Sequence, residues 1–300
     1  MKNNKFSITT HKLAQICNVS QGTVDRALNN RQGISNETKE KILSAARKYG
    51  YLDADEKKLH IIGIVIFDLY NEYFSELVMY LERECQKIGY SLVVMFTDKD
   101  FEKEQKCIKQ LYCMGADGII LCPIGEGEDY VNYLHSLKIP IVTIGNKLNG
   151  VSFVGIDNFK AMYDACMYFS KTNKKIIYYS PALKGRGNNY AQIERKKGFE
   201  KACGDIKLYY TIVQDSNELK KLLEKEKNSA VLCSTDYYAI EVLMKYPGAE
   251  VMGFDNVNIM KLFSKQIKTV DGNSVEVTKK ALYNVINNIK NDIYVDYKII

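Results

Sequence analysis

Gln21, Gly22, Thr23, Asp25, Arg26 and Asn29 share one side of the run 20–29, whose other side carries Val24, Ala27 and Leu28. An amide, a hydroxyl, a carboxylate and a guanidinium held on one helical face present hydrogen-bond donors and acceptors at fixed spacing. Small, polar and basic groups at the start of such a helix suit a recognition helix lying in a DNA major groove. For that face to exist the run must be helical, and Ser20 is a favourable N-cap. The stretch before it has a similar character. Thr10 is a suitable N-cap, Leu13, Ala14 and Ile16 are apolar at helical spacing, and Asn18 can take the left-handed conformation that ends a helix in the turn Cys17-Asn18-Val19. Residues 10–29 therefore read as two short helices joined by a tight turn. An ordinary helical hairpin with a solvated outer face fits the same pattern.

Charge placement bears on the choice. The net charge of +6 lies entirely in residues 1–50, which hold nine Lys and Arg against three acids, while the rest of the chain is balanced at 33 each. A phosphate-binding module requires such a concentration, and a solvated basic face does not explain it. Residues 30–34 form a loop, Ser35 caps a third helix over 36–48 with Ile42, Leu43, Ala45 and Ala46 apolar, and Gly50 ends it. Three short helices can just enclose a small core, so this head is expected to lean on oligomerisation or DNA.

After a polar linker the rhythm changes. The run 61–67 is continuously apolar, as a buried parallel strand is. Strands are expected over 91–96, 118–122, 140–144 and 152–156, alternating with helices over 74–88, 102–114 and 130–137. The alternation restarts with helices over 161–171, 192–202, 218–226 and 238–246 and strands over 175–180, 207–213, 230–234 and 250–253. A late helix over 274–288 and a final strand over 293–299 follow. The fold class is α/β: a small all-α helix-turn-helix head, then two similar parallel-sheet lobes. Ligands of open α/β sheets bind beyond the carboxyl ends of the strands, which places a site in the cleft between the lobes.

Other classes find little support. The eight cysteines form no C-x-x-C pair and the three histidines are isolated, so zinc-ligand spacing is missing and most cysteines are expected to be buried thiols. The N-terminal stretch lacks the apolar core of an export signal, and no stretch approaches the ~20 apolar residues of a membrane span. A cytoplasmic protein with no membrane partner is expected. The glycine-containing runs Gly125-Glu126-Gly127-Glu128 and Gly185-Arg186-Gly187-Asn188-Asn189-Tyr190 lack the third glycine and strand-turn-helix setting of a dinucleotide site. Neither enzymatic chemistry nor a cofactor is expected.

These residues together resemble the lactose-repressor (LacI) family of bacterial transcription regulators, over nearly the whole chain. The head contributes Leu13-Ala14, Val19-Ser20, Thr23-Val24, Arg26-Ala27-Leu28-Asn29, Ile34-Ser35, Thr38, Ile42, Ala45-Ala46 and Gly50-Tyr51. The remainder looks like the periplasmic-binding-protein type I fold through Ile62-Gly63-Ile64-Val65, Asn71-Glu72-Tyr73-Phe74, Gly155-Ile156-Asp157-Asn158, Arg195 with Gly198-Phe199, Thr235-Asp236, Gly253-Phe254-Asp255 and Thr269-Val270. The resemblance implies a homodimer on a palindromic double-stranded operator, most often a repressor. A small polar effector in the cleft, commonly a sugar or a nucleobase, would shift lobe and dimer geometry. The implied divisions are a head (1–50), a linker (51–60) and an effector and dimerisation domain (61–300). Its first lobe would cover 61–157 and 272–290, its second 158–271 and 291–300.

The resemblance also suggests residue roles. Gln21, Gly22 and Arg26 match recognition-helix positions, where Gln can pair with adenine and Arg with guanine or phosphate. Gly22 leaves one base position to be read weakly or by shape. Asp25 stands where the family often has Ser; it would repel phosphate but could accept from a cytosine amine. Thr10, Ser20, Thr23, Asn29 and Arg31 complete the DNA surface as phosphate contacts or helix caps. In the cleft, Arg195 is the leading ligand contact, with Asp255, Asn71, Tyr73, Phe74, Asn146 and Thr235 around it, while Asp236 is expected to cap the following helix. Two departures stand out. The linker is short and its stretch 53–58 is polar and partly acidic, unsuited to the family's leucine-bearing hinge helix that wedges into the minor groove. Gly272 replaces a glutamine usual in the family, removing a customary hydrogen bond to ligand. A solute-binding protein of a transport or sensing system is the alternative; it would need an export signal, and the basic head argues against it.

Overall fold

A computed structural model describes residues 8–29, 31–52, 59–172, 175–184, 187–225, 230–263 and 267–300. It divides into two units, 1–59 and 60–300. The expectation for the stretch 53–58 lies outside the described residues, as do Gly185 and Arg186.

The first unit is three helices, α1 (Thr10–Cys17), α2 (Gln21–Leu28) and α3 (Asn36–Lys48). Leu13, Ala14, Cys17, Val24, Ala27, Ile42 and Ala46 form its core. Asn18 ends α1 with φ 55°, and its N–H reaches the carbonyls of Ala14 and Gln15. Ser20 and Ser35 cap α2 and α3 by accepting from the N–H of Thr23 and Thr38, both at 3.1 Å. Three sequence readings need correction. The cap of α1 is Thr9, whose hydroxyl accepts from the Lys12 N–H, and Thr10 is the first helical residue. Cys17, not Ile16, completes the buried stripe. Leu13 and Cys17 are one turn apart with Ala14 beside them, which leaves Ile16 on the rim at 38% exposure. Tyr51 and Leu52, assigned to the linker, pack on the head core, and both N–H groups bond to the Ala46 carbonyl.

The second unit runs β1 (His60–Ile66), α4 (Glu72–Lys87), β2 (Tyr90–Phe96), α5 (Phe101–Cys113), β3 (Gly118–Leu121), α6 (Glu128–Ser136), β4 (Ile141–Ile144) and β5 (Ser152–Gly155). It continues with α7 (Asn158–Phe169), β6 (Lys175–Tyr179), a 3-10 turn (Pro181–Lys184), α8 (Tyr190–Asp205), β7 (Tyr209–Val213), α9 (Ser216–Lys225), β8 (Ala230–Cys233), α10 (Asp236–Lys245) and β9 (Glu250–Met252). A second 3-10 turn (Asn258–Leu262), β10 (Val270–Asp271), α11 (Ser274–Ile286), β11 (Ile293–Tyr294) and β12 (Lys298–Ile299) follow.

The first lobe holds a six-stranded parallel sheet in the order β11-β5-β4-β3-β1-β2, the second a four-stranded parallel sheet in the order β7-β6-β8-β9. Apolar side chains leave both faces of each sheet, so helices must cover both. One core runs from the first sheet through Val154 and Ile156 into α7, α8 and the second sheet; a further core backs each lobe. The α7–α8 contact is close because Gly198 has no side chain: a Cβ there would stand 2.1 Å from the Phe159 carbonyl oxygen. The single final strand expected over 293–299 is two. Ile293 pairs with Val154 as an edge of the first sheet, and Ile299 pairs antiparallel with Val270 at the crossover between lobes. The segment assigned wholly to the second lobe therefore starts in the first. Among the described residues, no helix is long and apolar enough to cross a membrane.

Candidate functional site

On the head, the outward face of α2 is exposed at Gln21, Gly22, Asp25, Arg26 and Asn29. Several of these groups already have partners within the head. The Gln21 amide donates to the Thr10 hydroxyl at 2.9 Å and so ties α2 to α1. Ser20 and Thr23 share a 2.8 Å hydrogen bond between hydroxyls beside the helix cap. Asp25 accepts from the Asn29 amide at 2.9 Å and from Arg31 Nη1 at 3.1 Å. Its carboxylate is thus balanced by a guanidinium folded back from the following loop, which removes much of the phosphate repulsion expected of it. Arg26 projects from the same face with no protein partner among the described residues.

In the second unit the lobes enclose a cavity of about 540 Å³ at the carboxyl ends of the strands. All seven residues singled out for the cleft line it: Asn71, Tyr73, Phe74, Asn146, Arg195, Thr235 and Asp255. Arg195 lies on α8, whose buried side faces the crossover β5–α7. Its Nε donates to Asn158 Oδ1 at 2.8 Å, Nη1 to the Ser234 carbonyl at 2.6 Å, and Nη2 to Asp255 Oδ1 at 3.3 Å. The guanidinium carbon sits 3.7 Å from the centre of the Phe254 ring, a cation–π arrangement. Arg195 and Asp255 also form an ion pair. The pair is buried and lines the cavity.

Asp255 follows β9 with φ 121°, a strained conformation for a side chain of its kind. The loop is held in place from beneath. Asp236 was expected to cap α10, but Thr235 is the cap, accepting from the Tyr238 N–H at 3.4 Å. Asp236 is the first helical residue, fully buried; it accepts from the Thr269 hydroxyl at 2.7 Å and the Val257 N–H at 2.9 Å. Gly253 makes room for this carboxylate, since a Cβ would stand 2.0 Å from its Oδ1. Burial pushes both acids up, Asp236 to about 6 and Asp255 to about 7, the latter against the opposing pull of Arg195. Burial, then the Asp255 charge, also raises the Tyr73 phenol well above its ordinary value.

The remaining side chains divide by what they touch. Asn71 caps α4, accepting from the Tyr73 N–H at 3.1 Å. Phe74 packs edge-on to Phe67 and to Tyr73, with ring centres 5.4 and 5.3 Å apart, and forms wall and core together. Asn146 ties the lobes: its amide donates to the Asn188 carbonyl at 2.6 Å, and its oxygen accepts from the Ala191 N–H at 3.1 Å. Its polar atoms are thus occupied by the protein. Sequence reading did not single out Asn158, Gln192, Phe153, Tyr237 or Phe254, which line the same cavity. Asn158 and Phe254 lie inside quoted motifs, so the signal was present there. Gly272 also lines the cavity, and space opens where the family's glutamine is missing. Seven of the eight cysteines are buried, Cys113 being the exposed one. Among the described residues, no group of three or more His, Cys, Asp or Glu could hold a metal ion.

Comparison with known proteins places these features. A family model described as periplasmic binding proteins and sugar binding domain of LacI family matches residues 59–227, and one described as bacterial regulatory proteins, lacI family, matches residues 9–53. The chain is similar to the HTH-type transcriptional regulator RegA of Clostridium acetobutylicum, with 29% identity over 86% of each chain. Its fold is similar to a periplasmic binding protein/LacI transcriptional regulator from Alkaliphilus metalliredigens complexed with D-xylulofuranose, with 21% identity over 80% of this chain and 97% of that one and a TM-score of 0.68. It is also similar to the lac repressor dimer bound to operator, with 14% identity over 98% of this chain and 97% of that one and a TM-score of 0.69. With the helix-turn-helix head and the two-lobed ligand-type domain each matched in place, the chain belongs to the LacI family of bacterial regulatory proteins.

Proposed function

We propose that this protein is a transcriptional repressor that binds a palindromic operator as a homodimer and changes its operator affinity when a small sugar enters the cavity. The observation that carries the reading is the buried Arg195–Asp255 pair facing a cavity between two lobes, on a chain whose head exposes the α2 strip. A planar guanidinium beside a carboxylate offers paired donors and acceptors to adjacent hydroxyls. Asn71 adds a polar contact, and Tyr73, Phe74 and Phe254 supply aromatic walls for apolar sugar faces. Among the described residues the charged groups lining the cavity are Asp68 and Asp255, Lys99 and Arg195, a near balance of acids and cations that suits a neutral ligand. On DNA, Arg26 and Gln21 read bases, while Arg31, positioned by Asp25, joins Thr10 and Asn29 at phosphates. The stretch 53–58 is too polar to wedge, so the operator is bent little; a bend above roughly 30° in a circular-permutation gel assay would overturn that part. The proteins in the comparison that act on operators or bind sugars support this reading by family kinship.

Fluorescence anisotropy tests it, using palindromic sequences upstream of this protein's own gene over a salt series. Tight, site-specific binding with a steep salt dependence is expected. Arg26→Ala is expected to weaken it by about 1–3 kcal/mol and to relax specificity at one base position. Addition of the cognate sugar shifts the wild-type curve and leaves an Arg195→Ala curve unmoved. Equal binding to operator and scrambled duplex would sink the proposal.

A further inference from the structure

Glu72 and Glu76 stand one turn apart at the start of α4 in the first lobe, and neither lines the cavity. Both reach the backbone of the second lobe instead. Glu76 Oε1 accepts from the Asn258 N–H at 3.2 Å and also from the Asn258 side-chain amide. Glu72 Oε2 accepts from the Ile259 N–H at 3.0 Å. Lys261 Nζ lies 2.7 Å from Asn258 Oδ1 and fixes the direction in which that amide points. Two carboxylates thus grip consecutive backbone donors across the lobe boundary, through hydrogen bonds of the charge-assisted kind.

The loop carrying these donors is tied to the second lobe just ahead of them. Asp255 and Asn256 both have positive φ, 121° and 55°. The Val257 N–H is held by Asp236 and the Asn256 N–H by the Thr269 hydroxyl, at 2.9 and 3.3 Å. Each end of the contact also runs directly into the cavity wall. Asn71, Tyr73 and Phe74 flank Glu72, while Phe254 and Asp255 lie just ahead of Asn258. A ligand that bridges Asn71 or Tyr73 to Asp255 therefore draws together the same two segments that carry the carboxylates and their donors.

We propose that Glu72 and Glu76 are positioning residues that latch the second lobe to the first, and so set effector affinity without touching the effector. This rests on reading the cavity as the effector site. Opening the lobes must break these bonds, and closing them must form them, so their energy enters the ligand equilibrium directly. The contact joins the first turn of α4 to a loop hydrogen-bonded into the second lobe, which lets a local loss act on the interlobe equilibrium.

The test compares full-length wild type with Glu72→Ala/Glu76→Ala and with Glu72→Gln/Glu76→Gln, which keeps an acceptor oxygen for each N–H. Two readouts are taken. One is the Kd for D-xylulose, D-ribose and cellobiose by calorimetry. The other is the interlobe distance from spin labels placed at exposed Lys106 and Lys220 through an encoded amino acid, which leaves the eight cysteines alone. The alanine pair is expected to lengthen and broaden the distance distribution and to raise the Kd of whichever probe binds by about tenfold, a modest net effect for the three solvent-accessible hydrogen bonds it removes. The glutamine pair is expected to restore both readouts, with unfolding midpoints matching wild type. An alanine pair with wild-type distances and wild-type affinity overturns the latch. If no probe binds wild type, the sugar reading fails, and the distance distribution alone decides the latch.

Discussion

Arg195 commits three of its five N–H groups to Asn158, Ser234 and Asp255, leaving one on each terminal nitrogen for a ligand. Removing it strands Asp255 in a buried site. Arg195→Ala is expected to cost about 3 kcal/mol of stability, read by urea unfolding, and to abolish effector binding. Asp255 carries a second prediction. It holds its proton to about pH 7 when folded against an ordinary value of 3.8, so folding takes up a proton between the two. Its contribution to stability is fully present below the lower value and is lost as pH rises toward 7; Asp236, raised to about 6, acts in the same direction. Unfolding free energy of Asp255→Asn, measured across this range, is expected to fall less steeply with rising pH than that of wild type. A steeper fall would mean that the Arg195 pair, not burial, governs this carboxyl.

Elements succeed or fail at their ends and their close approaches. Ser20→Ala removes the hydroxyl that caps α2 and is expected to cost the head about 1 kcal/mol, seen as a lower melting transition by circular dichroism. Gly198→Ala forces α7 away from α8, because the clash is with backbone rather than a movable side chain; about 2 kcal/mol or more is expected, with weakened effector binding. The same elements show what sequence carries. Apolar periodicity and Gly or Asn stops mark nearly every helix and strand, since those signals are local. Caps were misplaced by one residue at Thr9 and Thr235, because neighbouring Thr and Asp side chains compete for one N–H and only the backbone geometry decides. The run 293–299 looks like one strand by composition. Its division follows from two partners, Val154 and Val270, far away in the chain. The cavity's outline was legible through motif order. The role of Asn146 as a tie between lobes was not, because its partners Asn188 and Ala191 come beside it only once both lobes have folded.

At the scale of the molecule, a ligand in the cavity and a duplex on the head must be linked through 60–300, so any effector that alters operator affinity is itself bound with altered affinity when operator is present, by the same factor. Calorimetric titration of effector with and without operator checks this, and equal affinities would separate the two activities. The charge distribution has a further consequence. The head holds the whole +6 while the other 250 residues sum to zero, and the described acids and cations around the cavity are equal in number. Dissolved ions therefore weigh on one half of the molecule and hardly on the other. A rise in salt therefore loosens the head's hold on a duplex directly and reaches the cavity only by way of that duplex, so free protein and operator-bound protein respond to ions to different extents at the ligand site.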